Sequence, residues 1–225
     1  MTKLNARDNT GMTFSIIMIA MIVFTGFLLV ERTSVSDKWK LPVAISAMVT
    51  GIAAIHYFYM RKLWLSNKSS PVVYRYLDWF LTVPLQLSEF YLVLSVDGPA
   101  PKDFLAKLLI ASFLMILFGF LGETGRVSRP VGFVCGMVAW VYILYEVFLG
   151  GGAKLKNDSS NPSIKIAYNA MKWIVTIGWS IYPLGYILKE KDMNLIYNLG
   201  DFVNKILFGG MILYAAKKDT KVSEN

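Results

Sequence analysis

The sequence predicts an all-α membrane protein, a single domain over residues 1–225 built as a seven-transmembrane helix bundle, and three observations carry that prediction. The first is composition: 55% of the 225 residues are hydrophobic and only 17% are charged, with a mean hydropathy of +0.49, where ordinary globular domains carry about 25% charged residues. The second is that seven apolar runs reach the length of about 17–25 residues that a helix needs to cross a bilayer. The third is that these runs do not alternate apolar with polar residues and are about twice as long as a barrel strand, which excludes a transmembrane β-barrel. Disorder, a collagen-like fibre and a water-soluble enzyme are excluded on the same composition.

The first run, residues 13–30, holds no charge. It lacks a small-residue cleavage site and is followed by Glu31 and Arg32, so it is read as a span rather than a signal peptide. The second, residues 41–60, is interrupted only by His56, and the third, residues 73–96, contains Arg75, Asp78 and Glu89. The fourth covers residues 104–122. The fifth, residues 131–149, contains the one cysteine, Cys135, which rules out an internal disulfide and reads as a small buried hydrophobe. The sixth covers residues 166–188, and the seventh, residues 195–216, holds Asp201 and Lys205.

Connections are expected over residues 31–40, 61–71, 97–103, 123–130, 150–162 and 189–194, where turn formers and charges gather. The triplet Gly150-Gly151-Gly152 and the polar stretch up to Pro162 predict a flexible loop. The 23 basic residues outnumber the 15 acidic ones for a net charge of +8. They are scattered between the spans rather than gathered on one face, so they point to lipid headgroups and not to a nucleic acid. A slight excess of them in the segments that follow odd-numbered spans places the N-terminus outside.

An ionisable side chain at a helix centre costs about 2.5–3.5 kcal/mol on insertion scales, so each one inside a span calls for a function. Six lie there: His56, Arg75, Asp78, Glu89, Asp201 and Lys205. Arg75, Asp78, Thr82 and Glu89 are spaced to share one stripe of the third helix, with Glu89 about 16 Å beyond Asp78 along the axis. Asp201 and Lys205 are one turn apart on the seventh. Lys205 sits near mid-span, where a lysine amine becomes a Schiff-base nucleophile toward an aldehyde. Taken singly, each has a plainer reading: an Asp201–Lys205 pair that holds helices together, an Arg75 that snorkels, a His56 hydrogen-bonded within the bundle. Six together on three helices are hard to explain as packing.

Three blocks of residues then carry a resemblance: Arg75-Tyr76-Leu77-Asp78-Trp79 with Leu81-Thr82-Val83-Pro84 and Glu89-Phe90-Tyr91-Leu92; Trp179 to Gly185; and Asn198 to Lys205. Over nearly the whole chain the sequence resembles the microbial (type 1) rhodopsins and, within them, the proteorhodopsins. The resemblance implies a seven-helix bundle around a covalently bound all-trans retinal, with Lys205 as the lysine of the protonated Schiff base. It implies that Asp78 is the primary counterion and proton acceptor, Asp201 the second counterion, Glu89 the proton donor and Arg75 the arginine on the release side. His56 would hydrogen-bond the acceptor, and Trp79, Met115, Trp140, Trp179, Tyr182 and Pro183 would line the chromophore pocket.

The Asp78/Thr82/Glu89 set resembles that of proton pumps rather than sodium or chloride pumps, and Gln86 that of blue-absorbing members. An outward light-driven proton pump in the inner membrane of a bacterial cell is therefore expected, with a slow blue-light sensor as the alternative and a retinal-free transporter a remote third. No metal is expected. A homo-oligomer, pentamer or hexamer, is also implied, although Ser15 and Thr33 depart from the Trp and Asp usual near the family's subunit contacts.

Overall fold

The computed structural model describes residues 4–188 and 190–223; Lys3 and Lys189, two of the basic residues that weigh on orientation, lie outside them. Among the described residues there are nine α-helices and no strand. Helix α1 is Asn9–Glu31, α2 Asp37–Asn67, α3 Val72–Leu94, α4 Lys102–Glu123 and α5 Arg129–Phe148. A short α6, Gly151–Asp158, precedes α7, Pro162–Trp173, which runs through a π-helical stretch, Ile174–Gly178, into α8, Ile181–Ile187. Helix α9 is Glu190–Ser223. With α7 and α8 as two halves of one rod and α6 as a side turn, the described helices form a seven-helix bundle.

The expected spans survive as helices, longer at most ends because polar turns continue the rods beyond the apolar runs. Five segments are long and apolar enough by themselves to cross a membrane: α1, α2, α4, α5 and α9. The remaining two rods fall short for different reasons. Helix α3 carries Arg75, Asp78 and Glu89, and the α7–α8 rod is broken by its π stretch.

Consecutive helices pack side by side, and α9 returns against α1 and α2 to close the ring. The outward faces are apolar, with Val23, Val138 and Ile177 about two-thirds exposed at 66%, 65% and 67%, as expected where lipid is the solvent. The interior holds a large aromatic and aliphatic core that includes Trp39, Trp79, Phe90, Tyr168, Tyr197 and Phe208. A smaller cluster of Phe14, Met21, Tyr57, Met60 and Trp64 lies between α1 and α2.

Three expectations are corrected. Residues 150–162 are not a flexible loop, because they contain α6. Its first amide, Gly151 N, donates to the Glu146 carboxylate at 3.2 Å, so an acidic side chain from the end of α5 satisfies an orphan donor at the N-terminus of α6. The last connection is also shorter than residues 189–194, since α9 already includes Glu190 to Asn194. Cys135 is half-buried rather than buried.

Candidate functional site

The π-helical stretch shapes one wall of the site. It pairs Trp179 N with Ile174 O at 3.0 Å, five residues back, and leaves carbonyls of the stretch without helical partners. Side chains from other helices take them: Trp140 Nε1 donates to Val175 O at 3.1 Å and Asn204 Nδ2 to Gly178 O at 2.8 Å. Pro183 then falls in the first turn of α8, where its missing N–H costs nothing.

At the centre of the bundle five charged side chains, Arg75, Asp78, Glu89, Asp201 and Lys205, are each at most 2% exposed. Lys205 Nζ donates to Asp78 Oδ2 and lies 3.6 Å from Asp201 Oδ1. Asp201 accepts from Tyr57 Oη at 2.9 Å, Trp79 Nε1 at 3.1 Å and Tyr182 Oη at 2.9 Å. Three donors on two oxygens suit an ionised carboxylate, which only accepts. Arg75 Nη1 stands 3.8 Å from Asp201 Oδ2, while its Nη2 donates to Asn198 Oδ1 at 2.8 Å and Asn194 Oδ1 at 3.2 Å. Two cations therefore face two carboxylates, so the buried cluster carries no net charge when all four are ionised.

The burial of Arg75 excludes the snorkelling reading, and Lys205 reaches across to α3 rather than pairing with Asp201 alone. Thr82 Oγ1 bonds the Asp78 carbonyl at 2.9 Å, not the carboxylate. His56 comes close to the acceptor but does not hydrogen-bond it: its Nδ1 is 3.8 Å from Asp78 Oδ1 and 3.0 Å from Ile52 O of its own helix. The expected His56–Asp78 hydrogen bond is thus absent from this structure, because the ring nitrogen is turned to a carbonyl one helical turn back. Asp78 Oδ1 is left buried without a hydrogen-bond partner. Glu89 is separate from this cluster. Only Ser46 Oγ bonds it, at Oε1, and Oε2 has no partner.

Lys205 and Asp201 form one end of a pocket enclosing about 760 Å³, open space at its mouth included. It is lined by Trp79, Gln86, Met115, Trp140, Trp179, Tyr182 and Pro183, together with Gly119, Gly132 and Gly136. All six positions expected around a chromophore are brought together here. Gln86 Nε2 is buried and has no hydrogen-bond partner. A pocket with aromatic walls, one buried amine at its end and a polar amide beside it fits a long conjugated aldehyde such as retinal.

Sequence reasoning missed Tyr57, Asn194, Asn198, Asn204 and Ser46. Two of the asparagines were findable: Asn194, Asn198, Asp201 and Lys205 are spaced by four, three and four residues, one polar stripe along α9. Tyr57 and Ser46 gave no signal, since a tyrosine or serine in a span is ordinary.

Known proteins match along the whole of this architecture. A family model described as bacteriorhodopsin-like protein covers residues 8–219. A green-light absorbing proteorhodopsin from Gamma-proteobacterium EBAC31A08 is 44% identical over 96% of this chain and 90% of its own. A blue-light absorbing proteorhodopsin from Gamma-proteobacterium Hot 75m4 is 42% identical over the same shares. The crystal structure of blue light-absorbing proteorhodopsin from Med12 superposes with a TM-score of 0.84 at 42% identity, covering 94% of this chain and 100% of that one. With a seven-helix bundle, a buried lysine between two aspartates and relatives of this similarity, the chain belongs to the bacteriorhodopsin-like family and is a multi-pass membrane protein.

Proposed function

We propose that the protein is a light-driven outward proton pump of a bacterial cell membrane, with all-trans retinal held on Lys205 as a protonated Schiff base. The observation that carries this reading is the buried Lys205 Nζ donating to Asp78 Oδ2, with a second buried carboxyl, Glu89, further along the same helix. Trp79, Met115, Trp140, Trp179, Tyr182 and Pro183 would hold the polyene. The chemistry that retinal supplies when bound is a light-driven change in geometry and proton affinity at Nζ.

The rest follows from the chain's own groups. Asp78 Oδ2 is already at the nitrogen and takes its proton. Asp201, held by three donors, stays ionised and keeps Arg75 and the lysine compensated while Asp78 is neutral. Glu89 lies about 16 Å from Asp78 along α3. It is flanked by Ser46, stores a proton and returns it to the nitrogen from the opposite side. With the N-terminus outside, α3 runs inward, so acceptance faces outward and resupply faces the cytoplasm.

Gln86 places an unpartnered amide on the pocket wall, which supports blue absorption. A homo-oligomer is part of the same proposal, although here Ser15 accepts from Arg61 Nε of its own chain at 2.7 Å.

Cells making the protein and supplied with retinal should acidify their medium in light, and a protonophore should abolish the signal. Pigment that forms without any acidification would favour the blue-light sensor, for which a proton-storing Glu89 serves no purpose.

A further inference from the structure

Lys172 also lies inside an apolar run, the sixth, outside the six ionisable residues at the bundle centre and outside the proton path above. It is the last residue but one of α7, about 15 Å in from the start of that helix at 1.5 Å per residue. Its ammonium is not at that depth, because side chains on a helix lean toward its N-terminus. Lys172 Nζ stands 4.4 Å from the centroid of the Phe148 ring, the last residue of α5, and 5.7 Å from that of Trp173. The charge has climbed back to the level at which α5 ends, as a lysine does at a membrane surface.

Its neighbours set it apart from the other lysines near the helix ends. Lys38, Lys40, Lys68, Lys107 and Lys217 each meet a carboxylate. Among the described residues the charged group facing Lys172 is instead a second cation, Lys156 of α6, and neither lysine forms an ion pair there. The acidic side chain at the end of α5, Glu146, is committed elsewhere, to Tyr142 Oη, Gly151 N and Lys107. Two half-buried like charges at the edge of a low-dielectric medium repel each other, and an anion between them turns that repulsion into attraction. Below the pair, apolar faces run toward the bilayer centre: exposed Val141 and Tyr145 on α5, exposed Trp173 and Ile177 on α7.

We propose that Lys172 and Lys156 bind the phosphate of an anionic phospholipid, with an acyl chain lying between the exposed faces of α5 and α7. Charge complementarity selects the headgroup: a zwitterionic lipid brings its own ammonium and restores the excess of positive charge, whereas an anionic one leaves the site near neutrality. The aromatic rings of Phe148 and Trp173, which meet edge to face at 5.6 Å, hold the ammonium at headgroup level, as aromatic side chains at a membrane boundary do. With the N-terminus outside, this end of the bundle meets the cytoplasmic leaflet, the one whose surface is negative. The lipid site itself does not depend on the pumping reading.

Native mass spectrometry of the retinal-loaded protein in detergent, titrated with dioleoyl phosphatidylglycerol, tests this. The wild type should retain the lipid and should retain dioleoyl phosphatidylcholine much less well. A lysine near a membrane surface contributes enough to anionic-lipid binding that Lys172→Gln and Lys156→Gln should each weaken retention about fivefold, and the double variant about 25-fold. Lys172→Arg, which keeps the charge, should retain the lipid, and so should Lys154→Gln, which removes a charge from an exposed position on the same short helix. Lys156→Gln lies outside the spans and covers the case in which Lys172→Gln yields no pigment. Equal retention of the two lipids by the wild type, or undiminished phosphatidylglycerol retention in the double variant, would overturn the proposal. Displacement of the lipid by millimolar inorganic phosphate would overturn the lipid as occupant and leave an anion site alone.

Discussion

At the scale of single residues, what distinguishes this chain is where it places charge. A buried amine hydrogen-bonded to one carboxylate and close to another loses stability when either is neutralised, but it still keeps a counterion. Asp78→Asn therefore removes the proton acceptor while leaving Asp201 as counterion. The variant is expected to bind retinal, absorb to the red of the wild type and give no light-driven acidification, as measured by absorption and by a pH electrode on illuminated cells. Gln86→Leu removes the one polar amide facing the pocket without touching the charge cluster, and its absorption maximum should move to longer wavelength with pumping kept; an unmoved maximum would refute the tuning role. The charged members of this site were legible in the sequence, since Arg, Asp, Glu and Lys inside apolar runs are conspicuous. Their hydrogen-bond partners Tyr57 and Ser46 were not, because a neutral hydroxyl in a span costs little and leaves no mark on hydropathy.

Among the elements, the ends and breaks of the helices show how local chemistry was used. Asp8 caps α1 by accepting from Gly11 N at 2.9 Å, takes the indole N–H of Trp64 at 3.1 Å and pairs with Lys68, tying α1 to the end of α2. Burial pushes this carboxyl up, but the Lys68 ammonium and the Gly11 and Trp64 donors outweigh it and hold it below the ordinary aspartate value. A lowered folded-state value means that protonation favours the unfolded chain. The staple thus contributes fully above about pH 4 and is lost as pH falls through the folded-state value. Asp8→Ala should lose about 0.5–2 kcal/mol at neutral pH, as for other helix caps, and thermal melts of the two proteins should converge on acidification. Helices α4 and α5 meet through Gly122 and Gly132, where a Cβ built on Gly132 would stand 2.7 Å from Gly122 Cα and from Phe118 O. Gly132→Val should cost about 1–3 kcal/mol through overpacking, read as a lower melting temperature. No sequence pattern announced α6, because a glycine triplet reads as a loop until Glu146 is seen accepting from its first amide. The break between α7 and α8 was equally hidden, since the side chains that take its freed carbonyls come from α5 and α9.

Over the whole molecule, one end of the bundle is held by a polar clamp. Lys38 Nζ and Asn161 Nδ2 each bridge Asp97 and Asp219, with all four contacts between 2.8 and 2.9 Å, and Trp39 Nε1 donates to Asp219 at 2.9 Å. The clamp joins the start of α2, the α3–α4 connection, the N-cap of α7 and the end of α9. Asn161 also caps α7 through Ser163 N at 2.8 Å. Asn161→Ala removes both roles and should lower stability by about 0.5–2 kcal/mol, seen in thermal denaturation of the retinal-bound protein, with the absorption maximum unchanged because the pocket is remote. By itself, the sequence determined the membrane as solvent, the seven rods and the charged residues that matter. Each of these is a local property, read from the length of an apolar run or from a charge that water would otherwise have to solvate. Tertiary structure alone decided that Lys205 bonds Asp78 across two helices, that His56 turns to its own backbone, that Lys172 stands over the Phe148 ring and that the α7 rod yields at Ile174–Gly178. Those facts depend on which side chains meet between helices far apart in sequence, and hydrophobic periodicity fixes the faces of a helix without fixing the atoms that touch across them.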